Sequence, residues 1–336
     1  MVQSVAEAMM VTGSVKVRLL KLLDDDRGNY TSGAVLAEKL KVSRNAIWKS
    51  VESLRSEGFD ISAVTNRGYR LNRIGGRLSE AGIAGQLKTA GIFKFEVRKS
   101  LSSTNTVLHE MAVKGAPEGL VLVAEEQTAG KGRQGREFCS LAGHGVYFSV
   151  LLRPCLETGD AALITSAAAV AAAKAIEEVT GVRAGIKWVN DLFVGGKKVC
   201  GILTEATFGM ESGTIENIVL GIGINVTRPE NGFPGTLDEV ATALTENTGQ
   251  NDVTHCRLIA AALDNFWEYY KSLAERGFLE EYRERSIVLG RDIFVLSGDD
   301  KKPAHALAID NDCRLVVRYE DGTTAALNSG EVSVRM

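Results

Sequence analysis

The spacing of apolar residues changes along the chain, and each change predicts a different kind of element. Val15, Leu19, Leu22 and Leu23 fit one face of a first helix that stops near Asp24–Gly28. Ser32 is placed to cap a second helix with Leu36 and Leu40 facing inward, and Ser43 a third that runs to about Glu57. Ile47, Val51 and Leu54 form the apolar face of that third helix, and Gly58 ends it. Phe59–Thr65 and Tyr69–Leu71 then read as a hairpin with Asn66, Arg67 and Gly68 at its tip. Three short helices, a short turn before the last, and a hairpin predict a winged helix-turn-helix over residues 1–73.

From about residue 80 to 285 apolar strands alternate with helices. Strands are expected at Phe93–Val97, Gly119–Ala124, Gly145–Leu152 and Ile218–Val226, and helices at Thr106–Lys114, Asp160–Val179 and Leu258–Leu273. Between them, Gly185–Asp191 reads as a strand whose alternation puts Lys187, Val189 and Asp191 on one side. A turn at Gly195-Gly196 returns the chain along Lys197–Glu205. The Ala-rich helix is interrupted by Thr165, Ser166, Lys174, Glu177 and Glu178, which leaves no run long enough to span a membrane. Residues 290–336 hold five short strands, with turns at 298–300, 310–312 and 320–322, and predict a small β domain of SH3-like size.

Composition adds a few limits. A chain of 336 residues is long enough for more than one core. Cys139, Cys155, Cys200, Cys256 and Cys313 are odd in number and scattered, which points to a reducing, cytoplasmic setting rather than a disulfide framework. The first residues have neither a basic region nor a long apolar core, against a signal peptide. The four histidines (His109, His144, His255, His305) are isolated, so neither a metal site nor a histidine-based mechanism is expected. Residues 1–73 carry 12 Lys/Arg against 8 Asp/Glu and the remainder 27 against 34, so a basic module precedes an acidic body. That asymmetry hints at a polyanionic partner.

Candidate chemistry concentrates at Gln127–Arg136, QTAGKGRQGR. Glycines let backbone amides approach a ligand, and Lys131, Arg133 and Arg136 add charge for a phosphate or other anion. A turn-forming surface loop is the alternative. Gly130, Gly132 and Gly135 match G-x-G-x-x-G, yet the stretch leads into a strand rather than the helix a dinucleotide site needs. Ser103, Thr104 and Asn105 gather polar groups at a helix start, where simple capping is the other reading. Lys187, Asp191 and Lys198 place cations and a carboxylate along one hairpin, or else are solvated surface groups. Gly221 and Gly223 interrupt a strand, which often marks close approach by a ligand or backbone. In the third helix Arg44, Asn45, Lys49, Ser50 and Ser53 suit base edges and phosphates, with Arg67 and Arg70 beside them, unless this is only a solvated face.

Val42–Lys49 followed by Gly68-Tyr-Arg-Leu71 resembles the N-terminal domain of the bifunctional biotin protein ligase/biotin operon repressor family. Ser-Thr-Asn at 103–105, Glu126–Arg133, Lys187–Asp191, Lys197–Glu205 and the Gly221–Asn225 strand resemble that family's catalytic motifs in order. The closing GEVSVR resembles its C-terminal domain. The resemblance implies a winged helix-turn-helix, then an α+β biotin/lipoate ligase domain like the class II aminoacyl-tRNA synthetases, then a small SH3-like β domain. It implies biotin, ATP and Mg2+, biotinyl-5′-AMP as intermediate, and a lysine of a biotin carboxyl carrier protein as acceptor. Biotin operon operator DNA, a ligand-promoted homodimer and no membrane association complete the implied partners.

By the same resemblance Lys198, Arg133 and Asp191 are the catalytic residues, with Lys198 neutralising the carboxylate and α-phosphate. Ser103, Thr104, Asn105, Gln127, Gly130, Lys131, Gly132, Arg136, Phe138, Lys187, Asn190, Gly221, Gly223 and Asn225 would bind biotin and nucleotide. Lys131 stands where arginine is common, Phe138 for tryptophan, Leu141 and Val189 for prolines, and Cys313 often for glycine. A lipoate or octanoate ligase, or a non-catalytic biotin-sensing repressor, are the competing readings.

Overall fold

The computed structural model describes residues 14–26, 28–73, 78–89, 91–154, 161–208, 215–248, 255–297, 300–328 and 330–334. The expectations for the chain start, for Cys155 and for the turn at 298–299 lie outside them. In the first domain α1 (Val15–Asp25), α2 (Gly33–Leu40) and α3 (Arg44–Ser56) begin at Ser14, Ser32 and Ser43, whose hydroxyls accept N–H bonds from Val17, Val35 and Ala46. Leu19, Leu23, Leu36, Leu40, Ile47, Val51 and Leu54 close one core beneath them. β1 (Asp60–Val64) and β2 (Gly68–Arg73) form the wing. Thr31, between α1 and α2, zips onto that wing through two 2.9 Å backbone bonds with Tyr69. A Cβ on Gly68 would lie 2.1 Å from the Thr31 carbonyl oxygen, so only glycine allows the approach.

Helix α4 (Glu80–Gln86) joins the domains. Its Ala81 belongs to the winged-helix core and its Ile83 to the core of the central domain. Gly82 leaves room for Cys256, Ser79 and Phe59, and Gln86 donates to Asp24 at 2.7 Å. Burial among these groups pushes the Cys256 thiol up to about 11.

The central domain is built on seven strands: β3 (Lys94–Leu101), β4 (Leu120–Gln127), β5 (Gly145–Leu152), β6 (Gly185–Lys187), β7 (Asp191–Val194), β8 (Lys197–Phe208) and β9 (Ile215–Asn225). They lie in the order β3-β4-β5-β9-β8-β7-β6, with β3 and β4 parallel and every other neighbouring pair antiparallel. Helix α5 (Thr104–Val113) covers one face, packing Leu108 and Ala112 against Leu122, Leu151 and Val219. The other face carries α6 (Ala161–Thr180), whose small side chains permit close packing. The segment after β9 forms the short helices α7 (Leu237–Val240) and α8 (Leu244–Thr248). Helix α9 (His255–Tyr270) then packs against α6, and α10 (Leu279–Glu284) follows. Among the described residues no helix is long and apolar enough to cross a membrane.

His255 opens α9 with both ring nitrogens buried and without a hydrogen-bond partner among the described residues. Burial, with a smaller push from His144, lowers its pKa below the ordinary 6.5. Below that value the unfolded chain binds a proton that the folded chain resists, so the contribution is intact above about pH 6.5 and lost as pH falls. Calorimetry should show melting falling by a few degrees between about pH 7 and about pH 5.5, and less in His255→Gln. Equal pH slopes in the two proteins would exclude His255 as the cause.

The C-terminal domain comprises β10 (Asp292–Ser297), β11 (Asp300–Ile309), β12 (Leu315–Tyr319), β13 (Thr324–Leu327) and β14 (Glu331–Val334). They form one antiparallel sheet in the order β13-β12-β11-β10-β14. Strand β11 starts earlier than the alternation predicts, and a register shift between Ala306 and Ala308 breaks the pattern midway. Cys313 has φ 60°, the left-handed turn conformation that glycine adopts most easily. Its carbonyl accepts the Trp188 indole N–H at 2.9 Å and ties this sheet to the central domain.

Candidate functional site

A cleft of about 440 Å³ opens where the start of α5, the loop after β4 and strands β8 and β9 meet. It is lined by Ser103, Thr104, Asn105, Gln127, Lys131, Gly132, Arg133, Phe138, Asn190, Lys198, Gly221 and Gly223 among the expected residues, and by Gly201, Ile202, Leu203 and Ile222 besides. Gly130, Arg136, Lys187, Asp191 and Asn225 stand outside that lining.

One wall is a buried polar chain. Helix α5 begins at Thr104, two residues before the predicted Thr106, because Gln127 on β4 supplies the missing cap: its Oε1 accepts the Thr104 N–H at 2.7 Å. The Gln127 amide N–H donates onward to Ser140 at 2.8 Å, and Ser140 to the Phe138 carbonyl at 3.0 Å. The Asn105 amide nitrogen faces two acceptors, the Glu205 carboxylate at 2.7 Å and the Leu203 carbonyl at 3.3 Å. Its oxygen must therefore accept, which it does from Ser149 at 2.6 Å. Ser149 has one proton, so the Thr104 hydroxyl proton faces two acceptors, Ser149 Oγ at 2.7 Å and Gln127 Oε1 at 3.1 Å. Thr104 Oγ1 is left as an acceptor, and a ligand there is recognised through its own N–H or O–H.

The two strand glycines accommodate protein side chains. A Cβ on Gly221 would sit 2.1 Å from Asn105 Oδ1, and one on Gly223 2.5 Å from the Phe138 ring. Close approach was the expected meaning of these glycines, but the approaching groups are Asn105 and Phe138, which form the pocket floor. The Phe138 ring meets Tyr147 edge-on at 6.3 Å between centroids. Burial pushes the Tyr147 hydroxyl up in pKa, and that hydroxyl donates to the Leu141 carbonyl at 3.1 Å.

The single strand expected through Lys187, Val189 and Asp191 does not form. The chain turns between β6 and β7, and Lys187 and Asp191 are cross-strand partners. Asp191 instead pairs with Lys198, Nζ to Oδ1 2.7 Å. Opposite Leu192 and Phe193 the β8 register passes from Cys200 to Lys198, which leaves Val199 as an extra residue. This bulge turns Lys198 toward Gly201 instead of the buried face that strict alternation would give it. Its ammonium lies 6.0 Å from the Phe138 ring centroid. The segment carrying α7 fixes the backbone here: the Thr242 N–H donates to the Lys198 carbonyl at 2.9 Å, and Asn225 to the Thr242 carbonyl at 3.2 Å.

The glycine-rich loop is itself a narrow ribbon, bridged at Gln127–Ser140 and Lys131–Glu137. Gly132 N–H bonds the Arg136 carbonyl at 2.7 Å, and Arg133–Gly135 make the tip. It leads into β5, as the sequence predicts. Arg133 reaches Asn190 at 3.1 Å and borders a second cleft of about 610 Å³, lined also by Thr165, Val189, Thr204 and Asn328. Lys187 lies 5.6 Å from the Phe193 ring centroid. No cluster of three metal-ligating side chains occurs among the described residues.

On the winged domain Arg44, Asn45 and Lys49 are exposed along α3, and Ser53 donates to Glu57 on the same helix. Trp48, not singled out by the sequence, is 52% exposed beside them. Ser149, Ser140 and Glu205 also escaped it, although a serine inside the apolar run of β5 was a visible signal.

This assembly of a helix-turn-helix, a mixed-sheet central domain and a small β domain has counterparts among known proteins. Residues 17–70 match the model of the HTH domain, 97–225 the Biotin/lipoate A/B protein ligase family, and 288–335 the Biotin protein ligase C terminal domain. The chain is 35% identical over 308 residues to the bifunctional ligase/repressor BirA of Bacillus subtilis, covering 90% of this chain and 94% of that one. It is 30% identical over 334 residues to the protein of the same name from Escherichia coli, covering 97% and 99%. A biotin protein ligase from Aquifex aeolicus, solved in complex with biotin and ATP, aligns with a TM-score of 0.61 and 29% identity over 72% of this chain and 98% of that one. The chain belongs to the family of bifunctional biotin protein ligase/repressors.

Proposed function

We propose that the protein joins biotin to a lysine of a biotin carboxyl carrier protein at the expense of ATP, through biotinyl-5′-AMP, and represses transcription in response to biotin. The observation that carries the catalytic reading is the Lys198–Asp191 pair, whose lysine lines a cleft with the Thr104 acceptor in its wall. A cyclic urea head group offers N–H groups to such an acceptor, whereas the dithiolane of lipoate and the chain of octanoate offer none.

In this reading the head group lies against Ser103, Thr104 and Gln127, over the floor made by Asn105, Phe138 and the glycines. The carboxylate then points toward Lys198. Its attack on the α-phosphorus forms a P–O bond and releases pyrophosphate. Lys198 offsets the negative charge of both reactants as they approach, with Asp191 keeping the ammonium in place. Arg133 borders both clefts and holds the phosphate side, with Lys131 and Arg136 adding charge in the same ribbon and Asn190 orienting Arg133. Gly130 and Gly132 keep the ribbon narrow, Asn225 anchors the covering segment, and Lys187 lies at the nucleotide side. Magnesium would enter with the triphosphate, whose oxygens supply most of its ligands, near Asp191. The acceptor lysine attacks the acyl carbon, AMP leaves, and the amine's proton passes to solvent.

The repressor half rests on α3 and the wing, with Arg44, Asn45, Lys49, Ser53, Arg67 and Arg70 meeting operator DNA. Ligand-promoted pairing of two chains would present two such helices to a palindromic operator, in the cytoplasm and away from membranes.

The decisive assay is transfer of labelled biotin by the full chain to a carrier domain. Labelling that requires ATP is the expected outcome. Transfer of octanoate or lipoate instead would place the chain among the sister ligases, and biotin binding without transfer would leave a sensor.

A further inference from the structure

The wing carries two arginines whose side chains meet the same aromatic ring. The guanidinium carbons of Arg67 and Arg70 each lie 4.6 Å from the centroid of Tyr30. Tyr30 is not in the wing. It sits between α1 and α2, next to Thr31, whose backbone is bonded on both sides to Tyr69.

Several independent contacts fix the backbone on either side of Tyr30 and the Arg70 head above it. Asn29 and Thr31 both donate to the Asp26 carboxylate, at 3.0 and 2.9 Å, and these bonds hold Asp26 below the usual carboxylate range. Gly68 lets Thr31 lie flat on the wing. On the other side Arg70 donates to Asn72 at 2.8 Å, and Asn72 to Asp60 and Ser62. Two cations are thus gathered on one ring, with no carboxylate bonded to either guanidinium among the described contacts. Each stack is favourable because the ring face is electron-rich, and each removes rotamer freedom that a long arginine would otherwise lose on binding. Gathering like charges needs a polyanion opposite them.

We propose that Tyr30 is a positioning residue for DNA: it holds Arg67 and Arg70 ready to grip the phosphate backbone beside the groove that α3 enters. The proposal rests on the repressor reading given above. It makes Tyr30 important for affinity, although a tyrosine outside the wing and outside α3 need touch no nucleotide. The ring matters and the hydroxyl does not.

The test uses the full chain and a labelled, mixed-sequence DNA duplex several helical turns long, titrated over a range of salt. Tyr30→Phe should bind within about twofold of wild type, and Tyr30→Leu about tenfold more weakly. The slope of log affinity against log salt should also become shallower in Tyr30→Leu, by about one unit for each arginine that disengages. In an Arg67→Gln/Arg70→Gln background, Tyr30→Leu should have no further effect. Biotin transfer should be unchanged in all of these variants, which reports on folding. Equal binding by wild type and Tyr30→Leu, or the same loss in the double-arginine background, would overturn the role of Tyr30 alone. A wild type with no salt-dependent binding to duplex would remove the DNA reading and this inference with it.

Discussion

Lys198→Ala is expected to slow biotin transfer about a thousandfold while leaving biotin affinity within about threefold of wild type. In the proposed reaction this ammonium offsets the charge of two anions as they meet, and its Asp191 partner at 2.7 Å fixes where it stands. It lines the cleft from β8, and its ion pair is with Asp191 and not with the polar wall that would hold the head group, which is why the loss should fall on the chemical step. Lys198→Arg should recover only part of the rate, because the wider guanidinium does not fit the narrow space above Gly201. Rapid-quench measurement of adenylate formation separates the first step from transfer. A loss smaller than about tenfold in that step would remove Lys198 from the chemistry.

Adding one methyl group at Gly221 should weaken biotin binding about a hundredfold. The new carbon would fall 2.1 Å from Asn105 Oδ1. Asn105 cannot yield without breaking its bonds to Ser149 and Glu205, and Ser149 is the residue that bonds Thr104 in the cleft wall. Each broken buried bond costs about 1–3 kcal/mol, so two account for the expected size. Gly223→Ala is the internal contrast. There the neighbour is the edge of the Phe138 ring, which can swing, and the loss should stay under about tenfold. Calorimetric titration of the two variants, with melting curves, decides between them. Equal affinities would mean that the Asn105 chain does not shape the head-group site.

Both predictions depend on relations the sequence only partly displays. The winged domain was legible because its signals are local: Ser32 and Ser43 cap the helices that follow them, and Gly68 sits where the wing turns. The order of strands around the glycine-rich loop was legible too, and so was the gathering of Thr104, Gln127, Arg133 and Lys198 at one cleft, through the family resemblance. What alternation could not convey was the bulge at Val199, since an extra residue leaves no mark in an apolar run yet redirects Lys198. Nor could it convey the break between Lys187 and Asp191, where the pattern reads straight through the turn. The pairing of Glu205 was hidden for another reason: its partner Asn105 is 100 residues away, and only the folded sheet brings them together.

Helix α4 carries a consequence for the genome-facing side of the molecule. Since Ala81 and Ile83 belong to two different cores, and Gln86 is bonded back to Asp24, the reading head cannot swivel on a loose tether. Were two chains to pair about a two-fold axis, the distance between their α3 helices would be set by how the ligase bodies meet. The interval between operator half-sites would then be a ruler laid down by the enzyme, and a chain that altered its pairing surface would have to change its address on DNA as well.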